Sequence, residues 1–301
     1  MSLPVVSVVI PVYNRPLTAT KALRSALAQA GVSLEVVLVD DASDPIFALP
    51  DDLAADPRVN LVRHDINAGA AAARNTGVAA ARGEWIAFLD SDDEFMQGKL
   101  ASQLAIADGE APLTVIASAF RYSRERGSDD MLPIESAALA DFCAGCWHCP
   151  GSTALISRRA FAQIGPLDTS LRRLEDLDWF IRLARAGGAL KVAPHLGARI
   201  NVGANATVAN VDEAANLIAL KFGLDDPRPN MPASARRNLA AYLALERAAA
   251  RFKSGRRIAG GIWMLRSLWY RPRLTLHLKK WWSSFPSGDP ERSGAPDAHG
   301  A

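Results

Sequence analysis

Four carboxylates fall within five positions in the segment WIAFLDSDDEF, residues 85–95: Asp90, Asp92, Asp93 and Glu94. Like charges this close repel one another by roughly 1 kcal/mol per pair in water, and by more where solvent is excluded. Oxygen ligands in an open site suit Mg²⁺ or Mn²⁺, which keep several waters and take up substrate phosphates. The segment therefore predicts a divalent-cation site at the end of a buried strand. A solvated acidic turn that caps the next helix is the alternative.

Polar side chains also follow two other apolar runs. Tyr13 and Asn14 come after the run at 5–11, and Asp41 comes after the run at 34–39. In parallel sheets, ligands bind at the carboxyl ends of the strands, so these side chains are expected at one edge. There Asp41 could accept a hydrogen bond from a nucleobase N–H or a ribose hydroxyl. Turn chemistry within DDASD is an equally good interpretation of this acid.

Arg74 is the only cation in the alanine-rich stretch GAAAARNTGVAAA, residues 69–81. A slim alanine helix can approach a ligand closely, and a guanidinium beside a diphosphate would add a fixed, bidentate positive charge. A solvated helix arginine is the other interpretation.

A second acidic cluster lies in LEDLDW, residues 174–179. A carboxylate here could remove a proton as a general base. On a helix, Glu175 and Asp178 share one face and Asp176 points elsewhere, so geometry alone does not choose among them. Acids are also favoured in the first turn of a helix by its dipole, which needs no chemistry.

The elements that would position these residues follow from periodicity. Apolar runs and helical spacing alternate along the first half of the chain, which predicts an α/β fold: a mostly parallel sheet with helices on both faces. Strands are predicted at 5–11, 34–39, 60–63, 85–89 and 114–120, and helices at 16–29, 69–81, 99–107, 160–165 and 174–186. The irregular stretch 127–151 is predicted to be a long loop or a change of layer.

Composition is ordinary for a soluble globular protein, with 49% apolar and 22% charged residues among 301. No run of eighteen apolar residues or basic leader is found, so we expect a cytoplasmic protein without a membrane span or signal peptide. Cys143, Cys146 and Cys149 are too few and too close for a disulfide framework. Reduced thiols are the preferred interpretation, and a zinc site with His148 is the alternative.

Charge is distributed unevenly along the chain. Residues 232–285 contain twelve Lys or Arg and one acid, a net charge of +11, which leaves −9 for the rest. Tryptophans interleaved with these cations are typical of a segment on an anionic membrane surface. A helical hairpin packed on the catalytic domain and a nucleic-acid surface are the alternatives, but nothing in the first 200 residues supports nucleic acid as a partner.

The predicted domain organisation has three parts. Residues 1–223 are expected to form the main domain, and the family resemblance described next implies that it is the catalytic domain, with a nucleotide-binding part at about 1–120 and an acceptor-side part at about 121–223. A linker and basic helical appendage follow at 224–285, since 224–233 contains three prolines. The last part, 286–301, has the composition of a disordered tail.

Four segments together resemble the family-2 glycosyltransferases, which have the GT-A fold. They are SVVIPVYNR (7–15), VVLVDDAS (36–43), NAGAAAARNTGVAAARGEWIAFLDSDD (67–93) and LEDLDWFIRLARAG (174–187). The resemblance implies an inverting transfer of a sugar from a nucleotide-diphosphate sugar, with a UDP-sugar expected, to an acceptor hydroxyl. It also implies Mg²⁺ or Mn²⁺ as cofactor. A saccharide or lipid-linked acceptor in bacterial-type surface polysaccharide or glycolipid synthesis, on the cytosolic side of a membrane, fits the family and the basic tail.

The resemblance also implies roles for individual residues. Asp176 matches the general base. Asp92 matches the metal ligand of the D-x-D pair, and Asp93 is a second candidate for that ligand. The nucleotide-sugar site would comprise Pro11, Tyr13, Asn14, Asp41, Arg74 and Asp90. The acceptor side would comprise Glu175, Trp147, Gly151 and Ser152.

One departure from the family pattern leaves alternatives open. Many relatives have a histidine near a Y-R-x-H pattern that can serve the metal, whereas the matching segment GARINVGANAT (197–207) has none. His195 lies just upstream and is expected to be a surface residue. A catalytically silent nucleotide-sugar-binding or scaffold protein is therefore one rival. A metal-dependent nucleotidyltransferase is another, although PVYNRPLTAT lacks the glycine-rich basic loop that such an enzyme would need after its first strand.

Overall fold

The structure, a computed structural model, describes residues 4–124, 127–145, 150–201, 207–224, 226 and 230–272. These residues form one nine-stranded sheet with the order β3-β2-β1-β4-β8-β6-β9-β5, and β7 pairs with β6. The strands are β1 (Val6–Val12), β2 (Leu34–Asp40), β3 (Val59–Arg63), β4 (Trp85–Phe88), β5 (Glu94–Phe95), β6 (Thr114–Arg124), β7 (Gly127–Met131), β8 (Ala154–Ser157) and β9 (Ala189–Asn201).

The first half of the sheet is parallel, as predicted. β1 pairs in parallel with both β2 and β4, and β2 pairs in parallel with β3. The apolar side chains of β1 and β2 are fully enclosed because helices cover both faces, which explains their continuous β-branched runs. The carboxyl ends of β1, β2 and β4 therefore meet at one edge of the sheet.

The second half is mixed rather than parallel. β8 runs antiparallel to both β4 and β6, and β5 runs antiparallel to β9, whereas β6 and β9 are parallel. The stretch predicted as a loop contains β7 and a short helix. These strands were not predicted because they are short, as β5 and β8 are, or only partly buried, as β9 is, so their periodicity is weak.

Helices cover the sheet on both faces. They are α1 (Pro16–Leu27), α2 (Asp51–Ala54), α3 (Ala70–Ala80), α4 (Lys99–Ala107), α5 (Leu139–Phe142), α6 (Pro150–Thr153), α7 (Arg158–Ile164), α8 (Glu175–Arg185), α9 (Val208–Lys221), α10 (Ala233–Lys253) and α11 (Arg257–Tyr270). α3 lies very close to the sheet, since a Cβ at Gly77 would be 2.2 Å from Val9 Cγ1. The small residues of α3 thus bring Arg74 to the edge where the strands end.

The basic segment contains a helical hairpin, α10 and α11. α10 packs against α8 and α9, with Leu239 and Leu243 in one apolar cluster with Ile181 of α8 and Ile218 of α9. Among the described residues, no helix combines the length and apolar character needed to cross a membrane. The predicted disordered tail at 286–301 lies outside the described residues.

Candidate active site

A pocket of about 460 Å³ lies where β1, β2 and β4 end. Six of the residues predicted for nucleotide-sugar and metal binding line it: Pro11, Tyr13, Asp41, Arg74, Asp90 and Asp92. Ser91, Asn67 and Arg15 line it as well. Its size fits a small-molecule ligand. The strand-end prediction is therefore correct about where these side chains lie.

Asp41 is held by the loop that enters α3. Its carboxylate accepts hydrogen bonds from the backbone N–H groups of Ala68 (2.9 Å) and Gly69 (2.8 Å), and it lies 2.7 Å from His64 Nδ1. The Asx-type turn predicted for this segment is made instead by Asp40, whose Oδ1 accepts from the Ser43 N–H. Asp41 thus fixes the helix entry beside the pocket while remaining one of its lining residues.

Asn14 does not line this pocket. Its side-chain oxygen accepts from the Asp44 N–H at 2.8 Å, and its own N–H donates to Ser43 Oγ at 2.9 Å. Tyr13, by contrast, is half-exposed at the pocket rim. Asn14 therefore joins the loops that follow β1 and β2.

Backbone strain is concentrated beside the candidate residues. Among the described residues, three that are not glycine have positive φ: Asn14 at 53°, Ala42 at 62° and Leu174 at 63°. Each is, or adjoins, a residue predicted for the site. Such conformations cost roughly 1–3 kcal/mol each and persist where the surrounding structure imposes them.

Arg74 links the two acidic clusters. Its Nη2 lies 2.6 Å from Asp90 Oδ1 and its Nη1 lies 2.7 Å from Glu175 Oε1. Burial alone lowers the pKa of Arg74, but Asp90 and Glu175 outweigh it and raise the pKa above its ordinary value. The guanidinium is therefore a permanent, buried positive charge between the strand-end pocket and the start of α8. The sequence predicted its place at the pocket but not its second partner.

The metal candidates Asp92 and Asp93 have different surroundings. Asp92 lines the pocket and forms an ion pair with Arg15. Asp93 is buried beneath the turn, where its two oxygens accept from Ser152 Oγ and the Asn201 N–H. Burial, with the neighbouring charge of Asp90, raises the pKa of Asp93 to about 8. Asp93 thus joins the turn to Ser152 and to the end of β9.

The three acids of α8 have different surroundings, and Glu175 and Asp178 share no partner although their spacing puts them on one face of the helix. Asp178 is fully buried and lies 2.9 Å from Arg182 Nε and 2.7 Å from Lys221 Nζ. Asp176 lines a narrow cavity together with Arg74 and Gly151. Burial, and then the charge of Glu175, raise the pKa of Asp176 to about 7.

Gly151 and Ser152, predicted for the acceptor side, lie directly against the D-x-D turn. A Cβ at Gly151 would be 2.4 Å from Asp90 Oδ2, so only glycine fits there without displacing that carboxylate. Ser152 is buried, and its Oγ accepts from the Asp90 N–H at 3.1 Å. Trp147 lies outside the described residues.

The cysteine motif is only partly described. Cys143 is buried against α10, and burial raises the pKa of its thiol to about 12. Cys146, His148 and Cys149 lie outside the described residues. His195 is exposed, as expected, and its Nε2 lies 2.6 Å from the backbone oxygen of Gln97.

The chemistry of the strand-end acids fits a divalent cation. Asp90 uses Oδ1 for Arg74, and Asp92 uses Oδ2 for Arg15, which leaves one oxygen of each carboxylate. Mg²⁺ is usually held by one or two carboxylates, with waters and substrate phosphates completing its shell. Among the described residues, no group of three or more His, Cys, Asp or Glu could hold a metal by itself. A Mg²⁺ site completed by waters and substrate phosphates does not need such a group.

The contacts of three residues beside the site were not predicted from the sequence. His64 orients Asp41, Arg15 pairs with Asp92, and the Asn201 side chain donates to the backbone oxygen of Asp92. Asn201 follows Arg199 in the segment where the family histidine was sought. An amide donor thus contacts the D-x-D turn there, and the R-x-N spacing was the signal that could have identified it.

The fold is of the GT-A class. Crystal structures of S. aureus TarS (residues 1–349) share it: the complex with UDP superposes with a TM-score of 0.63 at 19% identity, covering 83% of this chain and 73% of that one. The complex with UDP-GlcNAc also gives a TM-score of 0.63, at 17% identity, covering 87% and 79%.

Sequence comparison adds the family. Residues 7–165 match the Glycosyl transferase family 2 model, and the chain belongs to this family. It is 49% identical over 107 residues to the succinoglycan biosynthesis protein ExoO of Rhizobium meliloti (strain 1021), covering 35% of this chain and 30% of the relative. It is 38% identical over 104 residues to the putative colanic acid biosynthesis glycosyl transferase WcaA of Escherichia coli (strain K12), covering 34% and 37%. The matches thus span about a third of each relative.

Proposed function

We propose that this protein is an inverting glycosyltransferase that moves a sugar from a UDP-sugar to an acceptor hydroxyl during surface polysaccharide or glycolipid synthesis. Family membership supports the reaction class, and the names of the exopolysaccharide relatives support the biosynthetic setting. The UDP and UDP-GlcNAc complexes of TarS support the donor class. The single observation that carries the proposal is the pair of contacts from Arg74 to Asp90 and Glu175.

The donor is proposed to lie in the strand-end pocket. Tyr13 and Asp41 would contact the base and ribose, because they line the side of the pocket formed by β1 and β2. Arg74 and Asp90 would lie at the diphosphate, on the side formed by β4. Asp90 and Asp92 are the residues that would hold Mg²⁺ or Mn²⁺, which, when bound, offsets the negative charge that grows on the leaving diphosphate.

Arg74 would assist the departure of the nucleotide without moving itself. The guanidinium is held by ion pairs with Glu175 and with the partly exposed Asp90, so no reorganisation is needed as negative charge develops nearby. Because the same guanidinium contacts Glu175, it also sets the distance between the strand-end pocket, where the donor would bind, and the first turn of α8. Binding of the donor and placement of the base are therefore mechanically connected.

Asp176 is proposed as the general base. The best base for a hydroxyl has a pKa close to the working pH, and burial beside Glu175 brings the pKa of Asp176 to about 7. Asp178 is a poor candidate, because Arg182 and Lys221 neutralise it in a buried cluster. On the acceptor side, Gly151 lies directly against the Asp90 carboxylate because it has no side chain, and Ser152 accepts a hydrogen bond from the Asp90 N–H.

A donor-hydrolysis screen tests this function. The purified protein is incubated with UDP-glucose, UDP-galactose, UDP-GlcNAc and GDP-mannose, with and without Mn²⁺, and released nucleotide is measured. We expect release from one UDP-sugar, stimulated by Mn²⁺. No release, together with a melting temperature unchanged by UDP and Mn²⁺, would contradict the proposal. A UDP-dependent rise in melting temperature without release from any donor indicates the silent binding protein instead.

Replacing Asp92 with asparagine should weaken donor binding without unfolding the chain. Asp92 is partly exposed, so its loss leaves only Arg15 unpaired at the surface. We expect the donor KM measured with Mn²⁺ to rise by at least about tenfold, the loss typical even of residues that only orient a metal ligand. Asp52→Asn, at an exposed ion pair, is the charge-matched control. Equal KM values for the two variants would remove Asp92 from the metal site.

Contact with an anionic membrane surface is proposed for α11. Four large apolar side chains form one exposed face of this helix, at spacings of four, three and four residues: Ile258, Ile262, Leu265 and Trp269. Ile258 is 85% exposed and Trp269 is 86% exposed. The segment 247–288 around this helix contains basic residues and no acid. An apolar face with flanking cations is the pattern of helices that lie in a membrane interface.

Vesicle flotation tests this contact. Cutting the chain before α10 would expose the cluster that α10 shares with α8 and α9, so point substitutions are preferable. We expect Ile262→Ser with Trp269→Ser to abolish flotation with vesicles rich in phosphatidylglycerol. Leu17→Ser with Leu220→Ser, which are equally exposed elsewhere, should leave it unchanged. Identical flotation of both double variants would exclude α11 as the contact.

A further inference from the structure

A second large cavity lies away from the strand-end pocket. It has a volume of about 570 Å³, lies between α9, α10 and α11, and has no lining residue in common with the active-site cavities. Its lining is mixed, with Leu243 and Tyr270 as apolar walls and four arginines as its charged groups: Arg236, Arg237, Arg247 and Arg266. None of the described residues that line it is acidic.

Within the described part of the chain, most of the arginines at this cavity lack a carboxylate partner. Among the described residues, Arg236, Arg237 and Arg266 have no carboxylate partner, and Arg236 Nε is buried without a hydrogen-bond acceptor. Asp212 is the nearest counter-charge, at 3.4 Å from Arg247 Nε. It is shared with Arg251, whose Nη2 lies closer at 2.7 Å.

Trp263 gathers three guanidinium groups at the wall of the cavity. Arg247, Arg266 and Arg251 lie over its ring at 4.7, 5.2 and 5.4 Å from the centroid. Burial, together with the charges of Arg251 and Arg266, lowers the pKa of Arg247. The folded protein thus holds several cations together against their mutual repulsion, and stacking on one aromatic ring offsets only part of it.

A multiply charged anion would relieve this repulsion. Guanidinium groups bind phosphate oxygens through paired N–H donors, and four of them at one cavity match a diphosphate better than a single carboxylate. We propose that the arginine cavity between α9, α10 and α11 binds a phosphate-bearing ligand, at a site separate from the donor pocket. The ligand is either a free diphosphate or the phosphate head of a lipid.

The position of the cavity on α11 bears on the source of the phosphate. With about 100° between successive helical residues, the cavity-lining Trp263, Arg266 and Tyr270 lie on the face next to the exposed apolar stripe of α11. A lipid whose tail follows the apolar stripe can therefore present its phosphate to the cavity. A soluble diphosphate needs only the arginines.

The test uses the full chain in the absence of nucleotide and of divalent metal, because UDP itself carries a diphosphate that the cavity would bind. Sodium pyrophosphate is titrated by calorimetry, and vesicles of phosphatidylcholine with or without phosphatidylglycerol are tested by flotation. We expect pyrophosphate to bind, and Arg236→Gln with Arg266→Gln to weaken this binding at least tenfold. Lys21→Gln with Arg159→Gln removes the same charge at exposed positions and should have no effect. Arg237→Gln, at an exposed position, is a second test that does not disturb packing.

Each result has a definite meaning. Flotation that requires phosphatidylglycerol and is competed by pyrophosphate identifies the lipid head as a ligand. Pyrophosphate binding that leaves flotation unchanged identifies a soluble diphosphate. Pyrophosphate binding that is absent, or is equal in the arginine variants and in the control, overturns the proposal. None of these measurements depends on sugar transfer, so a failed donor screen does not affect them.

Discussion

Asp176→Asn is expected to lower kcat for sugar transfer by roughly two to four orders of magnitude, the usual contribution of a general base. Donor binding, measured as the rise in melting temperature with UDP-sugar, should be unchanged, because the Arg74 contacts to Asp90 and Glu175 remain. Asparagine keeps the shape and the hydrogen bond that Asp176 Oδ1 accepts from the Leu177 N–H. Transfer at the normal rate by this variant would place the base elsewhere.

The pH dependence supplies an independent check on the same residue. Since burial raises the pKa of Asp176 to about 7, kcat/KM should rise with pH and level off above about pH 7. The folded state also binds this proton more tightly than the unfolded state does. This proton therefore contributes most to the free energy of unfolding below the pKa that Asp176 has in the unfolded chain. The contribution is lost as the pH rises towards 7. At pH 8 the Asp176→Asn variant should therefore melt no lower than the wild type.

Asp178→Asn is the matched control two positions along the same helix. It removes a buried carboxylate that Arg182 and Lys221 contact, so we expect lower stability by about 3 kcal/mol, as for other broken buried pairs. Below the melting temperature, transfer per folded molecule should be close to normal. A loss of kcat in Asp178→Asn with preserved stability would reverse the assignment of the two acids.

Arg74→Gln is the second substitution with a large expected effect. It leaves Asp90 and Glu175 without their shared counter-charge. We expect the free energy of unfolding to fall by about 3 kcal/mol. This is the low end for a broken buried ion pair, because Asp90 is partly exposed. The substitution also removes a fixed donor at the leaving diphosphate, so kcat/KM should fall by about 10²- to 10³-fold. Urea unfolding and steady-state kinetics measure the two effects separately.

Arg74→Lys separates charge from geometry. A lysine retains the positive charge but has no planar fork to reach two carboxylates at once. We expect most of the stability to return while kcat/KM remains low, because Glu175 loses its partner and α8 is no longer held to the donor pocket. Arg24→Gln, at an exposed ion pair with Asp52, should change neither quantity. Full recovery of kcat/KM in Arg74→Lys would show that charge alone is required.

The sequence was sufficient to predict the parallel half of the sheet. β1, β2 and β4 are enclosed on both faces, so their apolar runs are continuous and their ends are marked by polar residues. Parallel strands bring their carboxyl ends to one edge, and this rule alone predicts that Tyr13, Asp41 and Asp90 lie together. The helical prediction at α8 was also correct, because its apolar face is strongly periodic.

The second half could not be predicted in the same way. β5 and β8 contain two and four residues, and β9 is only partly buried, so neither length nor periodicity identified them. They nevertheless bring Asn201 and Ser152 to Asp93 across 108 and 59 positions of the chain. Contacts between segments so far apart are decided by strand order.

The sequence by itself determined which residues have the chemistry for this site, because strand ends and a slim helix are local properties. Only the tertiary structure decided how they are used. It joined Arg74 to Glu175 across 101 positions, enclosed Asp178 in ion pairs and left Asp176 beside the cavity with a raised pKa. It also gathered the arginines of α10 and α11 around one cavity. Burial and long-range charge act through space, and the order of residues along the chain does not specify them locally.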